Sequence, residues 1–202
     1  NFSTTGCSYS VGYGGDIRIN TGELLVKNGS DISTSNFGKG NAGNIFLDVR
    51  DNITFEGKGS DKYPIPSSAS TFVTNGDAGD IQVNTGSLFL TNGSNFYAFG
   101  SPEENSDDIA NAGNITINAR DSIKLDGEGN SLGTFLLRGT GKGGDIQITT
   151  GSLSVSNDAS LSTATNGQGN AGNIRINASD TVTFDQQSLA LASVYENAIG
   201  DG

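Results

Sequence analysis

Gly169-Asn170-Ala171-Gly172-Asn173-Ile174-Arg175-Ile176-Asn177-Ala178 is one copy of a peptide that returns along the whole chain. Asn111-Ala112-Gly113-Asn114-Ile115-Thr116-Ile117-Asn118-Ala119 nearly repeats it, and Gly40-Asn41-Ala42-Gly43-Asn44-Ile45-Phe46-Leu47 is a third copy. A sister form carries Asp in place of the second Asn, at Gly14-Gly15-Asp16-Ile17, Ala78-Gly79-Asp80-Ile81 and Gly143-Gly144-Asp145-Ile146. The two forms alternate, and successive Asp forms lie 64 and 65 residues apart (Gly15 to Gly79 to Gly144). Self-similarity at such a period marks a stacked-repeat architecture. The chain is a tandem array of a two-part unit.

Outward from each copy, the pattern is that of short strands. In the unit that begins at Asp145, Ile146 and Ile148 alternate with polar residues, and Leu153 and Val155 do so again after Gly151. Asn157-Asp158 is a turn, and a weaker third run passes through Leu161. Period-2 alternation places one side-chain set inward, and helical spacing is missing. The reading is all-β: a right-handed parallel β-helix (β-solenoid) with three short strands per coil and about six coils, spanning roughly 30 Å. The first strand supplies the columns Ile17/Ile45/Ile81/Ile115/Ile146/Ile174 and Ile19/Leu47/Val83/Ile117/Ile148/Ile176. The second supplies Leu24/Ile53/Leu88/Ile123/Leu153/Val182 and Val26/Phe55/Leu90/Leu125/Val155/Phe184. For the third strand the anchors are Ile32, Phe72, Phe96, Phe135, Leu161 and Leu191.

Residues 1–202 form a single solenoid segment, expected to be a piece of a longer protein. Insertions loop out at about 56–68, where two prolines cannot donate to a central ladder, and at 100–109. The 30 glycines recur beside apolar alternation as turn punctuation, not as a low-complexity linker. A net charge of −11 argues against nucleic acid, which asks for a basic footprint, and against anionic membrane surfaces. No apolar run is long enough to insert in a bilayer. Cys7 stands alone, so no disulfide framework exists, and it reads as a small apolar residue.

With no His and one Cys, the usual general-base, zinc and thiolate arrangements lack their key parts. No cofactor is expected and the chain reads as a non-enzyme. The densest acidic cluster, Glu103, Glu104, Asp107 and Asp108, has the oxygen chemistry of a Ca²⁺ site. The same acids with Asp61 would serve a glycan-active enzyme, the least favoured reading. Gly141-Lys142-Gly143-Gly144 resembles a phosphate cradle but leads into a strand, where no helix N-terminus waits for the anion. The Asp and Asn that follow Gly, namely Asp16, Asn44, Asp80, Asn114, Asp145 and Asn173, are read as a structural ladder. Their side chains stack at one corner, with the preceding Gly allowing the backbone angles of a tight turn.

The alternation of Gly-Asn-Ala-Gly-Asn-Ile with Gly-Gly-Asp-Ile, together with Thr-Gly-Ser-Leu at 85–88 and 150–153, resembles the repeats of filamentous-haemagglutinin-like exoproteins. Two-partner secretion systems export such proteins, and this variant is most similar to the cyanobacterial ones. The resemblance implies an extracellular or cell-surface location on a Gram-negative-type bacterium and a structural or adhesive role in a fibre or matrix. Expected partners are further coils, by end-to-end self-association or continuation of the same fibre, and surface glycans. A carbohydrate- or calcium-binding module is the alternative.

Overall fold

The computed structural model describes residues 2–6, 11–57, 66–102, 107–195 and 198–202. Its strands are β1 (Phe2–Gly6), β2 (Ile17–Lys27), β3 (Asp31–Lys39), β4 (Ile45–Glu56), β5 (Ser68–Asp77), β6 (Ile81–Thr91) and β7 (Asn95–Gly100). They continue with β8 (Ala110–Asn111), β9 (Ile115–Asp126), β10 (Ser131–Leu136), β11 (Ile146–Ser156), β12 (Ser160–Thr165), β13 (Ile174–Phe184) and β14 (Leu189–Val194).

The chain winds between two faces. One sheet runs β2-β4-β6-β9-β11-β13, the other β1-β3-β5-β7-β10-β12-β14, with β8 on β5. Neighbours pair in parallel, as successive coils of a parallel β-helix must. A narrow third ladder closes the circuit through the bridges Val11–Lys39, Ile109–Thr140, Thr140–Gln168 and Gln168–Ile199.

The first two runs of each coil are one bent strand of 11 or 12 residues, not two separate strands. At the bend the register shifts, as at Thr150/Ser152 and Thr85/Ser87. The bend differs between the two coil types. In Asp-type coils the inward residues on either side are five apart (Ile19 to Leu24, Val83 to Leu88, Ile148 to Leu153). In Asn-type coils they are six apart (Leu47 to Ile53, Ile117 to Ile123, Ile176 to Val182). The extra residue bulges, and the neighbouring coil has a glycine there. A Cβ on Gly86 would collide with the Asp51 carbonyl, and one on Gly151 with that of Asp121.

All four apolar columns of the bent strands stand in register, Ile45 against Ile81 and Phe55 against Leu90 for example. Their members in the inner coils are buried, Ile45, Ile81, Ile115 and Ile146 completely. Each such side chain stabilises the stack by about 1.5–3 kcal/mol relative to exposure. The third column needs correction. Ile32, Ala69, Phe96, Leu132, Leu161 and Ala190 are the paired inward residues. Phe72, Phe135 and Leu191 lie one or three residues further on and face outward. Aromatic size suggested burial, but Ala69 is the residue that fits, because the Phe55 ring already fills that layer and packs edge-on against Phe96 at 4.8 Å.

A second inward column on the short-strand sheet is polar. Thr34, Thr71, Thr134 and Thr163 are wholly buried. A buried hydroxyl without a partner is costly, and each of these donates to a corner carbonyl. Thr71 Oγ1 reaches Gly79 O at 2.6 Å and Thr163 Oγ1 reaches Gly172 O at 2.7 Å; Thr34 and Thr134 serve Gly43 and Gly144. Ala98 occupies the same column with no hydroxyl.

Candidate functional site

The corner that carries the repeat motif is the most chemically ordered part of the molecule. Asp16, Asn44, Asp80, Asn114, Asp145 and Asn173 stand in one file and are joined coil to coil. The backbone N–H of Asn44 donates to Asp16 Oδ1 at 2.8 Å, and the Asn44 side-chain amide donates to the same oxygen at 3.1 Å. Asn44 Oδ1 in turn accepts the N–H of Asp80 at 2.8 Å. The cycle repeats from Asn114 to Asp80 (2.8 and 3.0 Å), from Asp145 N–H to Asn114 (2.9 Å), and from Asn173 to Asp145 (2.7 and 3.1 Å). Each Asn thus donates towards the preceding carboxylate, and Asn44 and Asn114 also accept from the following main chain. No two carboxylates are neighbours. Hydrogen bonds from the Asn44 backbone and side chain, with the Arg18 guanidinium at 2.8 Å, hold the Asp16 carboxyl below its ordinary pKa against the raising effect of burial.

The glycine before each Asp or Asn does a different job from the one expected. Gly43, Gly79, Gly113, Gly144 and Gly172 are absent from the positive-φ set, yet a Cβ on any of them would collide with the carbonyl of the equivalent glycine one coil earlier. Coil-to-coil approach is what excludes a side chain here. The left-handed backbone occurs three residues earlier, at Gly40 (φ 125°), Gly76 (φ 138°) and Gly169 (φ 147°).

A second file, three residues upstream, escaped the sequence reading. Asn41 and Asn111 both donate side-chain amides to Asp77, at 3.1 and 2.7 Å. Asn111 Oδ1 accepts the N–H of Lys142 at 2.9 Å, and Asn170 Oδ1 accepts that of Asp201 at 3.1 Å. The signal was present as Asn or Asp three residues before each member of the first file, at Asn41, Asp77, Asn111 and Asn170; Lys142 and Tyr13 interrupt it and hid the period. Between the two files runs a shallow glycine-lined trough over residues 140–145 and 168–172. It is not an anion cradle, because Gly141 N–H and Gly143 N–H already donate to Gln168 O (3.0 Å) and Asn170 O (2.8 Å).

Of the acidic insertion, Asp107 and Asp108 are among the described residues. Glu103 and Glu104 lie outside the described residues, as do Asp61 and Cys7. Asp108 accepts the side-chain amide of Asn75. Among the described residues no group of three or more His, Cys, Asp or Glu converges to hold a metal ion. The first insertion leaves from a closed base, and the second ends on a bond to the coil before it. Ser67 N–H donates to Gly57 O (3.1 Å) and Ser67 Oγ to Glu56 O (3.0 Å); Gly76 N–H donates to Ile109 O at 2.8 Å.

On the outer face of the short-strand sheet Phe135 joins an aromatic cluster, and Phe72 pairs with another ring beside it. Tyr97 lies 5.0 Å from Phe99, Phe99 5.6 Å from Phe135, and Phe72 5.1 Å from Phe37. Gly133 leaves the space into which the Phe135 ring folds back. Burial pushes the Tyr97 phenol up, with its bond to Ser131 working the other way. Asn95, two residues before Tyr97 on the same strand, has a buried Oδ1 without a partner. Sequence reasoning missed this surface because it assigned the large aromatics to the core.

No family model matches this chain, and no curated protein or solved structure is similar to it.

Proposed function

We propose that the chain is a non-catalytic, structural segment of an extracellular β-helical rod. In this reading it is a filamentous-haemagglutinin-like exoprotein of the two-partner secretion kind, on the surface of a Gram-negative-type, cyanobacterial cell, where it serves as a structural and adhesive element. The observation that supports it is the continuity of the stack. Four apolar columns, a buried threonine column and two corner files run from coil to coil, so the repeat's defining residues are occupied in binding the next coil. Chemistry distributed in this way favours length and stiffness, as in other quasi-one-dimensional repeat arrays. The test is location and shape. Antibody labelling of intact cells, removed by external protease, together with rods in images of the native material, is the expected result. An antigen reached only after lysis would end this reading.

The outward aromatic cluster favours a second reading, a surface that holds neutral saccharide rings against Tyr97, Phe99 and Phe135. Glycan-array binding lost in Tyr97→Ala with folding intact would support it, and an array blank for the parent would remove it. Calcium binding by the loop at 100–109 is tested by titrating Ca²⁺ against the thermal midpoint.

A further inference from the structure

We propose that two copies of this chain pair side by side through the outer face of the short-strand sheet, the aromatic ridge of each lying on the serine-lined flank of the other. The pairing deepens the rod reading above and rests on it for its setting; the closing experiment reads association alone.

Charge singles out this face. The chain carries a net charge of −11, so copies repel one another unless they meet where charge is scarce. On the bent-strand sheet β2, β4, β9 and β13 all carry charged residues, Arg18, Asp48, Arg120 and Arg175 among them. On the short-strand sheet β7, β10, β12 and β14 carry none. The charges of β3 and β5 stand at strand ends, at Asp31, Lys39 and Asp77. Asp31 already accepts the Ser68 hydroxyl at 2.6 Å, and Asp77 belongs to the second corner file.

The relief of the face is complementary to itself. Ser33 stands against Ser70 in the register, and Gly133 against Ser162, so small residues make low ground. Beside it Phe72, Phe99 and Phe135 fill one outward column, and Tyr97 leans on it, 5.0 Å from Phe99 and 5.7 Å from Phe135. A two-fold axis parallel to the solenoid axis sets the ridge of one copy over the low ground of the other, the isologous contact of a symmetric pair. Covering the half-buried rings contributes apolar burial. Burying the serines costs little where their hydroxyls are already bonded within the sheet, as Ser68 is to Asp31 and Ser160 to Ser131 at 3.1 Å.

The area favours a second copy over a saccharide. Six-residue strands at roughly 3.3 Å per residue, six of them about 4.8 Å apart, make a face of about 600 Å². Two such faces bury about 1,200 Å², the lower end of a specific protein interface. A saccharide would cover the rings and leave the rest of this uncharged ground in water.

The test uses the full chain in sedimentation velocity and small-angle scattering over a concentration series reaching the millimolar range. The parent should form a pair whose cross-section is doubled and whose length stays that of one copy. Ser70→Glu puts a carboxylate on the face of both copies, from an outward position where its chain reaches solvent in the single copy. It should keep the parent's thermal midpoint and weaken pairing at least tenfold. Ser160→Glu, on another coil, should do the same and decides the matter if Ser70→Glu misfolds. Thr116→Glu adds the same charge to the outer face of the bent-strand sheet and should leave pairing unchanged. Equal weakening by all three variants, or by none, would overturn the proposal, as would a pair that is longer and no wider. A parent that stays single, and that binds a glycan array through Tyr97, would give the face to a saccharide and overturn the pairing as well. Surface labelling of cells tests the rod reading separately.

Discussion

Asn114→Asp turns the corner file into a direct electrostatic experiment. Asn114 now donates its amide to Asp80 Oδ1 at 3.0 Å and accepts the Asp145 N–H at 2.9 Å. The substitution replaces that donor with a carboxylate oxygen and sets three carboxylates in consecutive coils. At the 3.0 Å now spanned by the hydrogen bond, two unit charges repel by about 5.5 kcal/mol at an effective dielectric of 20 and by about 1.4 kcal/mol in bulk water. The site is a partly exposed corner, so solvent screening moves the expectation toward the lower figure. Adding about 1 kcal/mol for the lost hydrogen bond gives a destabilisation of about 2–3 kcal/mol at pH 7.

The pH dependence separates these two parts. Crowded carboxylates have folded-state pKa values raised above the unfolded value of about 3.9, so the repulsive cost appears as pH climbs through that window and vanishes once they are protonated. Urea midpoints at pH 7 and pH 3 provide the assay, with Asn114→Ala as the control that loses the hydrogen bonds without adding charge. Asn114→Asp should fall well below Asn114→Ala at pH 7 and rejoin it near pH 3. If the two variants behave alike at both pH values, side-chain stacking along this corner is not what the alternation of Asp and Asn controls.

Gly86→Ala should cost about 1–3 kcal/mol although the backbone angle is ordinary, because its Cβ overpacks against the Asp51 carbonyl; a thermal midpoint equal to the parent's would refute the bulge-and-glycine account. Ala98→Thr should raise stability by about 1 kcal/mol in a denaturant titration by supplying the hydroxyl that its column neighbours direct at corner carbonyls. Gln186 and Gln187 both adopt left-handed backbone (φ 48° and 64°) where other coils have Asn28-Gly29 and Asn92-Gly93, so Gln187→Gly should raise the thermal midpoint, by about 1 kcal/mol in free energy. The Asp126 carboxyl is held below its ordinary value chiefly by the bond from Lys124, then by Asn157, so it stabilises the fold above about pH 4 and that contribution is lost as pH falls through the lowered pKa. Asp126→Asn should therefore narrow the stability gap between pH 7 and pH 3.

The sequence by itself determined the stack. Strict alternation at Ile146/Ile148 and Leu153/Val155, repeated in every coil, admits one register, because a slip by one residue would turn each apolar side chain to solvent. That is why the bent-strand columns were legible from residues alone, and why the file from Asp16 to Asn173 could be named. Only the tertiary structure decided the rest. Which third-strand residues point inward depends on how much volume the opposite sheet leaves: the Phe55 ring makes Ala69 the inward residue and sends Phe72 outside. The corner glycines read as turn residues in one dimension and are contact residues in three, since the atom that excludes a side chain belongs to another coil. The alternation of five- and six-residue spacing was written in the chain throughout. Its meaning, a projecting carbonyl that demands glycine from its neighbour, exists only once two coils lie against each other.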